Sequence, residues 1–429
     1  MNVDERRKYL HKIRLRYWQA KDKTERGKLL DETQAVIGLH RKSLLRLLHG
    51  ELARKPRAQQ RNKTYGPAVD TAIANIARSL DYPCAERLKP NLGWMADHLR
   101  AHGEMDLNAE VREQLDTISV SSIRRRLPVS QRITDRIAQP KKTAHQTFAE
   151  RQSIPIRRID WQEHCPGHFE TDLVHHCGVS TDGQYVHTLQ MLDVASGWSE
   201  CVGVLGRSYL VMQDGFEHIA SRLPFKILEI HPDNGAEFLN FHMVNYWREK
   251  VKTDVSRSRP FHKNDNRFVE ENNASFVRAY VGYARLDTVA QTQLLNQLYD
   301  RLWVYHNLFQ PVMRLSEKQW QDQKLKRIYD EAVPPLDRLC KTDALSSKKK
   351  QELLTLRRNT NPMQLRLDIQ NLLDRLYALP RAQEGVIEDV RLSLFKPTHD
   401  HQTATTKQQD RSIKKTSPQK YLSVAELNV

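Results

Sequence analysis

Five short apolar runs between Gly167 and Val255 constrain the fold of this chain more than any other feature. They cover 168–174, 185–194, 199–205, 227–230 and 253–255, each of strand length and rich in β-branched or aromatic residues. Helical spacing of apolar residues recurs at 210–223, 237–250 and 267–283. The order is three strands, helix, strand, helix, strand, helix. It predicts an α/β unit around a mixed five-stranded sheet, here bounded at 158–288.

The flanks read differently. In residues 1–60, Leu29, Leu30, Val36, Leu39, Leu44, Leu45 and Leu48 recur at helical spacing, and Gly38 separates a helix over 24–37 from one over 40–49. Two short helices about a glycine turn outline a helix-turn-helix, and the second carries His40, Arg41, Lys42 and Arg46 on its polar side. The run Ala53-Arg-Lys-Pro-Arg57 follows, so Arg54, Lys55 and Arg57 are expected to track phosphates or a minor groove. Residues 61–130 are expected to form a second helical DNA-binding unit, ending where Ser119 caps a helix with three arginines. A polar linker at 131–157, a helical region at 289–380 and a polar tail at 381–429 complete the chain. The tail is expected to be disordered from about Thr398.

Three acids within 167–283 can carry chemistry. Asp172 interrupts the first apolar strand, and burying a carboxylate there is costly unless something such as a metal ion compensates. Asp233 ends a later strand, where open α/β sheets bind ligands, and Asn234-Gly235 turns the chain into the next helix. Glu270 lies in the first turn of a helix. Each has an ordinary reading as well: a strand-edge residue, a turn residue, a charge favoured by the helix dipole. Together they form an all-oxygen donor set suited to Mg²⁺ or Mn²⁺. Arg257, Arg259 and Lys263 occupy the loop before the Glu270 helix and are candidates for DNA backbone contacts, with Asn264 and Asn266 able to orient that loop. Trp198 and Trp247 read as core, and Glu237 as a helix-start charge. His164, Cys165, His168, His175, His176 and Cys177 crowd together, but at spacings that do not suit zinc.

The segments Glu170-Thr-Asp172, His231-Pro-Asp-Asn-Gly-Ala-Glu-Phe238 and Asn266-Arg-Phe-Val-Glu270 carry a family resemblance. Residues 167–283 resemble the catalytic core of retroviral-type integrases and DDE transposases, which is ribonuclease H-like. With the flanking helical regions and Asn307-Leu-Phe-Gln-Pro311, the chain is similar to bacterial insertion-sequence transposases over most of 20–380. The resemblance implies that Asp172, Asp233 and Glu270 are the catalytic and metal-binding residues. Glu270 rather than Glu271 fits the Asn-x-x-Val-Glu frame. It further implies cleavage at element ends, joining of the 3′-hydroxyl to target DNA, and a homo-oligomer assembled on DNA. A DNA-binding regulator without catalysis and a nuclease on the same fold are the alternatives, and the intact acids speak against the first.

Composition agrees with a DNA partner. Net charge is +16, from 68 Lys and Arg against 52 Asp and Glu, and a polyanion is the usual partner of such a surface. The five cysteines form no disulfide framework. No apolar stretch approaches the ~20 residues that span a bilayer, and the first residues lack a signal core, so a bacterial cytoplasmic location is expected, with no membrane partner.

Overall fold

The computed structural model describes residues 3–50, 52, 65–127, 154–157, 159–160, 163–259, 263–321, 324–383 and 385–395. The chain divides into two compact units, Met1–Thr64 and Tyr65–Val429. In the first, three helices, α1 (Val3–Gln19), α2 (Lys23–Ile37) and α3 (Arg41–His49), enclose a core of Leu10, Ile13, Tyr17, Leu30, Ile37, Leu44, Leu48 and Leu52. Asp22 caps α2 by accepting from Glu25 N at 2.7 Å. Gly38 closes it with φ 73°, the left-handed conformation that glycine adopts without steric cost. His40 then caps α3, its Nδ1 accepting from Lys42 N at 3.3 Å.

The second unit opens with α4 (Pro67–Ser79), α5 (Ala85–Leu88), α6 (Leu92–Ala101), α7 (Ala109–Thr117) and α8 (Val120–Arg124). The sheet follows: β1 (His168–His175), β2 (Val186–Asp193), β3 (Ser199–Leu205), β4 (Glu229–Pro232) and β5 (Asp254–Val255), in spatial order β3-β2-β1-β4-β5. β1–β2 and β2–β3 are antiparallel, and β1–β4 and β4–β5 parallel. α9 (Tyr209–Arg222) makes the crossover from β3 to β4. α10 (Phe241–Asn245) continues through a wide helical turn, Tyr246–Val251, towards β5. The segment before the sheet reaches its far edge, where Ile156 bridges Arg257 beyond β5.

Beyond the sheet, α11 (Arg267–Asn272), a wide turn at Asn273–Val277 and α12 (Arg278–Val281) lead to the long α13 (Val289–Phe309). α13 covers the outer edge of β3. Asn296 accepts from Gly203 N at 2.7 Å and donates to Gly203 O at 2.9 Å; Asn307 does the same to Ser199 at 2.9 Å each. These side chains satisfy backbone groups that an open edge would leave as a pairing template. α13 also receives the helices of 67–124: Tyr305 donates to Ser79 O at 2.7 Å and Gln310 to Leu80 O at 2.9 Å. Val69, Ile73 and Ile76 of α4 thus share one core with the sheet rather than closing a core of their own.

Two expectations need correction. The region 289–380 is not wholly helical: Leu315–Gln321 and Lys324–Tyr329 form an antiparallel hairpin, β6–β7, before α14 (Pro335–Leu339), α15 (Ser347–Asn359) and α16 (Pro362–Ala378). The hairpin is exposed, so burial imposes no apolar alternation on its sequence. The tail does not begin at 381. Residues 385–395 lie on the second unit, with Phe395 stacked on His218 at 3.7 Å, Phe395 N donating to Asp214 at 3.0 Å, and Glu388 accepting from Val289 N at 2.8 Å. The apolar pair Leu394-Phe395 packs on the core, which a purely polar tail could not do. The remainder of the tail, from 396, and linker residues 131–153 lie outside the described residues. No helix among the described residues is long and apolar enough to cross a membrane.

Candidate active site

The ladder between β1 and β4 pairs His168 with Glu229 and Thr171 with Pro232, a constant offset of 61 residues. Asp172 and Asp233 have the same offset, one step past the last pair. Neighbouring strands lie ~4.8 Å apart, and residues at one level of a parallel pair share a face. Register therefore carries both acids to the same place on adjacent strands. Both are half-buried. Gly235 N donates to Asp233 Oδ1 at 2.8 Å. A Cβ at Gly235 would stand 2.8 Å from that oxygen and 2.7 Å from the Glu237 carboxyl carbon, so a side chain there would push the Asp233 and Glu237 carboxylates aside. Asn234 ties the turn to its neighbour, donating to Ser258 O at 2.9 Å and accepting from Arg257 Nη1 at 3.1 Å.

The helix that carries Glu270, α11, is seated over the same face of the sheet. Glu170, two residues before Asp172 on β1 and on the same face, accepts from Phe268 N at 2.8 Å and Val269 N at 2.9 Å. Asn273, one turn further on, donates to Asp172 Oδ2 at 2.6 Å. Asn272 accepts from Gln190 on β2, which pairs with Asp172, and from Ser199 on β3 at 3.4 Å. Glu270 and Asn273 are three apart and share one side of the helix, whereas Glu271 is rotated about 200° from Asn273. Glu270 and Glu271 are both exposed.

A second polar chain ties α11 to β4. His231 Nδ1 meets Ser256 Oγ at 2.7 Å, its Nε2 meets Ser258 Oγ at 3.3 Å, and Ser258 donates to Asn266 at 2.9 Å, the residue preceding α11. Burial pushes the His231 imidazole down to about 4, so it is neutral at neutral pH. Glu170 moves the other way. Burial raises its carboxyl to about 7 against the two backbone donors and the guanidiniums of Arg314 and Arg267.

Among the described residues, no group of three or more His, Cys, Asp or Glu is close enough to hold a metal ion. Asp172 and Asp233 stand level on adjacent strands and α11, which carries Glu270, is seated over their face, but the three acids are not gathered into one cluster. Their chemistry is nevertheless that of a hard-cation site, carboxylate oxygens without sulfur or nitrogen.

The basic candidates fare differently. Lys42 and Arg46 are exposed on α3, and His40 is exposed at its start. Arg41 is turned back onto its own unit, paired with Asp31 and donating to Gly27 O at 3.5 Å. Arg54, Lys55 and Arg57 lie outside the described residues, as does the side chain of Lys263. Arg257 also donates to Ile154 O at 3.3 Å. Arg259 grips the buried Asp265 through N, Nε and Nη2 at 3.0, 2.8 and 2.7 Å, which shapes the loop before α11. Glu170 and Asn273 escaped sequence reasoning as site residues, although Glu170 shares a face with Asp172 by strand periodicity alone.

The mixed sheet, with three antiparallel strands continued by two parallel ones and helices on its faces, fits an α/β core of the ribonuclease H-like kind. The chain belongs to the family of the uncharacterized protein y4rM of Sinorhizobium fredii (strain NBRC 101917 / NGR234). The two are 36% identical over 317 residues, 74% of this chain and 90% of that protein. Among solved structures, the catalytic core domain of BIV integrase aligns with 33% of this chain and 83% of its own, at 15% identity and a TM-score of 0.24. No protein-family profile matches the chain.

Proposed function

We propose that the protein is a DDE-type transposase of a mobile DNA element, a polynucleotidyl transferase with Asp172, Asp233 and Glu270 as its catalytic acids. The observation that carries the reading is the register: two aspartates level on adjacent parallel strands, with the Glu270 helix seated over the same face by Glu170 and Asn273. The three acids would hold Mg²⁺ or Mn²⁺, which supplies activation of the attacking oxygen and stabilisation of the leaving one. In the first step water attacks a phosphorus at each element end and the 3′-oxygen leaves. In the second, that 3′-hydroxyl attacks a target phosphodiester and displaces a target 3′-oxygen. Asn273 orients the Asp172 carboxylate, and Asn234 with Gly235 holds the turn that presents Asp233.

Lys42 and Arg46 on α3 fit a recognition helix, with His40 at its start; Arg54, Lys55 and Arg57 fit phosphate contacts after it. Arg257, Arg259 and Lys263, in the loop before α11, fit contacts to the DNA backbone. One set of acids serves one strand at a time, so two ends require at least two protomers on DNA.

The test uses the full chain, Mg²⁺ and labelled DNA from the ends of the element that carries the gene. Asp172→Asn, Asp233→Asn and Glu270→Gln are each expected to lower strand transfer ~10³-fold or more while end binding persists, as for groups that act as one unit. Glu271→Gln is expected to be mild. Strand transfer at wild-type level in any of the first three removes that residue from the site.

A further inference from the structure

Polar side chains from three strands line the face of the sheet on which α11 rests, where a helix usually meets apolar ones. Strand pairing aligns them. Gln190 on β2 stands opposite Asp172 on β1, and Ser199 on β3 stands opposite Leu192, two residues beyond Gln190 on the same face. Gln190 and Ser199 are fully buried. Gln190 Nε2 donates to Asn272 Oδ1 of α11 and to Ser199 Oγ at 3.2 Å, and Ser199 Oγ donates to the same Asn272 oxygen at 3.4 Å.

The mechanism above gives Gln190 no part, and folding does not ask for it. Among the described residues, its enclosed Oε1 has no hydrogen-bond partner. A buried amide oxygen in that state costs free energy that an apolar side chain of the same length would not. The strand therefore carries a group less favourable to folding than methionine at the position that faces Asp172. Residues that break the local rule in this way concentrate at functional sites.

What the amide supplies is direction. Glu170 holds the start of α11 through backbone N–H groups alone. Further along, Asn273 is tied to Asp172 on β1 and Asn272 to Gln190 on β2. These consecutive side chains leave the helix about 100° apart and are anchored on adjacent strands, so together they fix the rotation of α11 about its axis. Glu270, three residues before Asn273, turns with it.

We propose that Gln190 is a positioning residue for the Glu270 helix. Through Asn272 it sets the rotation of α11 over Asp172, without touching DNA itself. The proposal rests on the reading of Asp172, Asp233 and Glu270 as one set of catalytic acids.

The experiment measures strand transfer by the full chain in Mg²⁺ over a range of end-DNA concentrations, for Gln190→Met, Asn272→Ala and the double variant. Each single change is expected to lower kcat ~10²-fold, the effect of a misplacement of ~1 Å, and to leave the KM for DNA unchanged. The double variant is expected to fall no further than the slower single one, because both changes break one contact. Gln190→Met is expected to melt no lower than the wild type, since the orphaned oxygen leaves with the amide. Asn272 is only half-buried, so its alanine variant reads the same contact from the helix side. Wild-type kcat in Asn272→Ala overturns the proposal even if Gln190→Met does not fold. Single effects that multiply in the double variant, or a rise in KM in place of a fall in kcat, overturn it as well. A wild-type chain that transfers no strand overturns the transposase reading and the proposal with it, whereas an active wild type beside unaffected variants overturns the proposal alone.

Discussion

Glu170 contributes to the site without belonging to the three acids. Its buried carboxylate takes the first N–H donors of α11, groups that would otherwise be orphaned beneath the helix. Glu170→Ala leaves both without an acceptor and is expected to cost ~2–6 kcal/mol, since each unsatisfied buried group costs ~1–3 kcal/mol. Glu170→Gln keeps an acceptor oxygen and is expected to recover most of that loss. Denaturant melts of the two variants check this; an alanine variant as stable as the wild type would show that α11 is held by its packing alone. At this scale the sequence was partly legible. Asp172 stands out as an acid in an apolar strand, and Asp233 as an acid at a strand end. Glu170 is equally polar in the same strand, but only the helix laid over it by later chain gives it a purpose. Asn273 carries no local signal at all, because its partner is 101 residues away.

Strands and helices of the sheet region follow the apolar pattern closely, as β3 at 199–205 shows, because burial on both faces leaves little freedom. What the pattern could not reveal was partnership. α4 has an apolar stripe that suits a self-contained helical unit, yet it packs beside α13, and the edge of β3 is closed by Asn296 and Asn307 from a helix expected to lie outside the core. The exposed β6–β7 ribbon escaped for the opposite reason, since neither face is buried enough to impose a period. This has a consequence for dissection. A fragment of residues 158–288 would expose both the backbone edge of β3 and the apolar surface under α13, and it is expected to aggregate. A fragment of residues 65–395 retains α13, α16 and the ordered start of the tail, and is expected to elute as a soluble, folded species. Size-exclusion chromatography of the two decides the matter; a monodisperse short fragment would show that α13 is dispensable to the sheet.

Charge is distributed very unevenly over the whole molecule. Residues 1–64 hold 18 Lys and Arg against 7 Asp and Glu, which is +11 of the total +16. Residues 65–429 carry the buried histidines instead. Burial pushes His306 down to about 4, opposed by its bond to Gly197 O, and pushes His187 and His218 down to about 3, each with a positive neighbour adding to the effect. His176, wholly enclosed, is lowered as well. An imidazole with a lower pKa in the folded chain than in the unfolded one takes up its proton on unfolding. Its stabilising effect is complete above the unfolded value of about 6.5 and is lost as pH falls from there towards the folded value. For His306 the loss is ~1.4 kcal/mol per pH unit across that window. The second unit is therefore expected to melt at progressively lower temperature as pH falls from about 7 to about 5, with several histidines acting together. His306→Gln keeps a polar group near Gly197 O and cannot titrate, so its melting temperature is expected to fall less steeply over the same range. Calorimetry of the 65–395 fragment and of this variant tests both statements. A melting temperature independent of pH in the parent fragment would mean that these imidazoles become protonated in place, with water or a carboxylate reaching them in the folded chain.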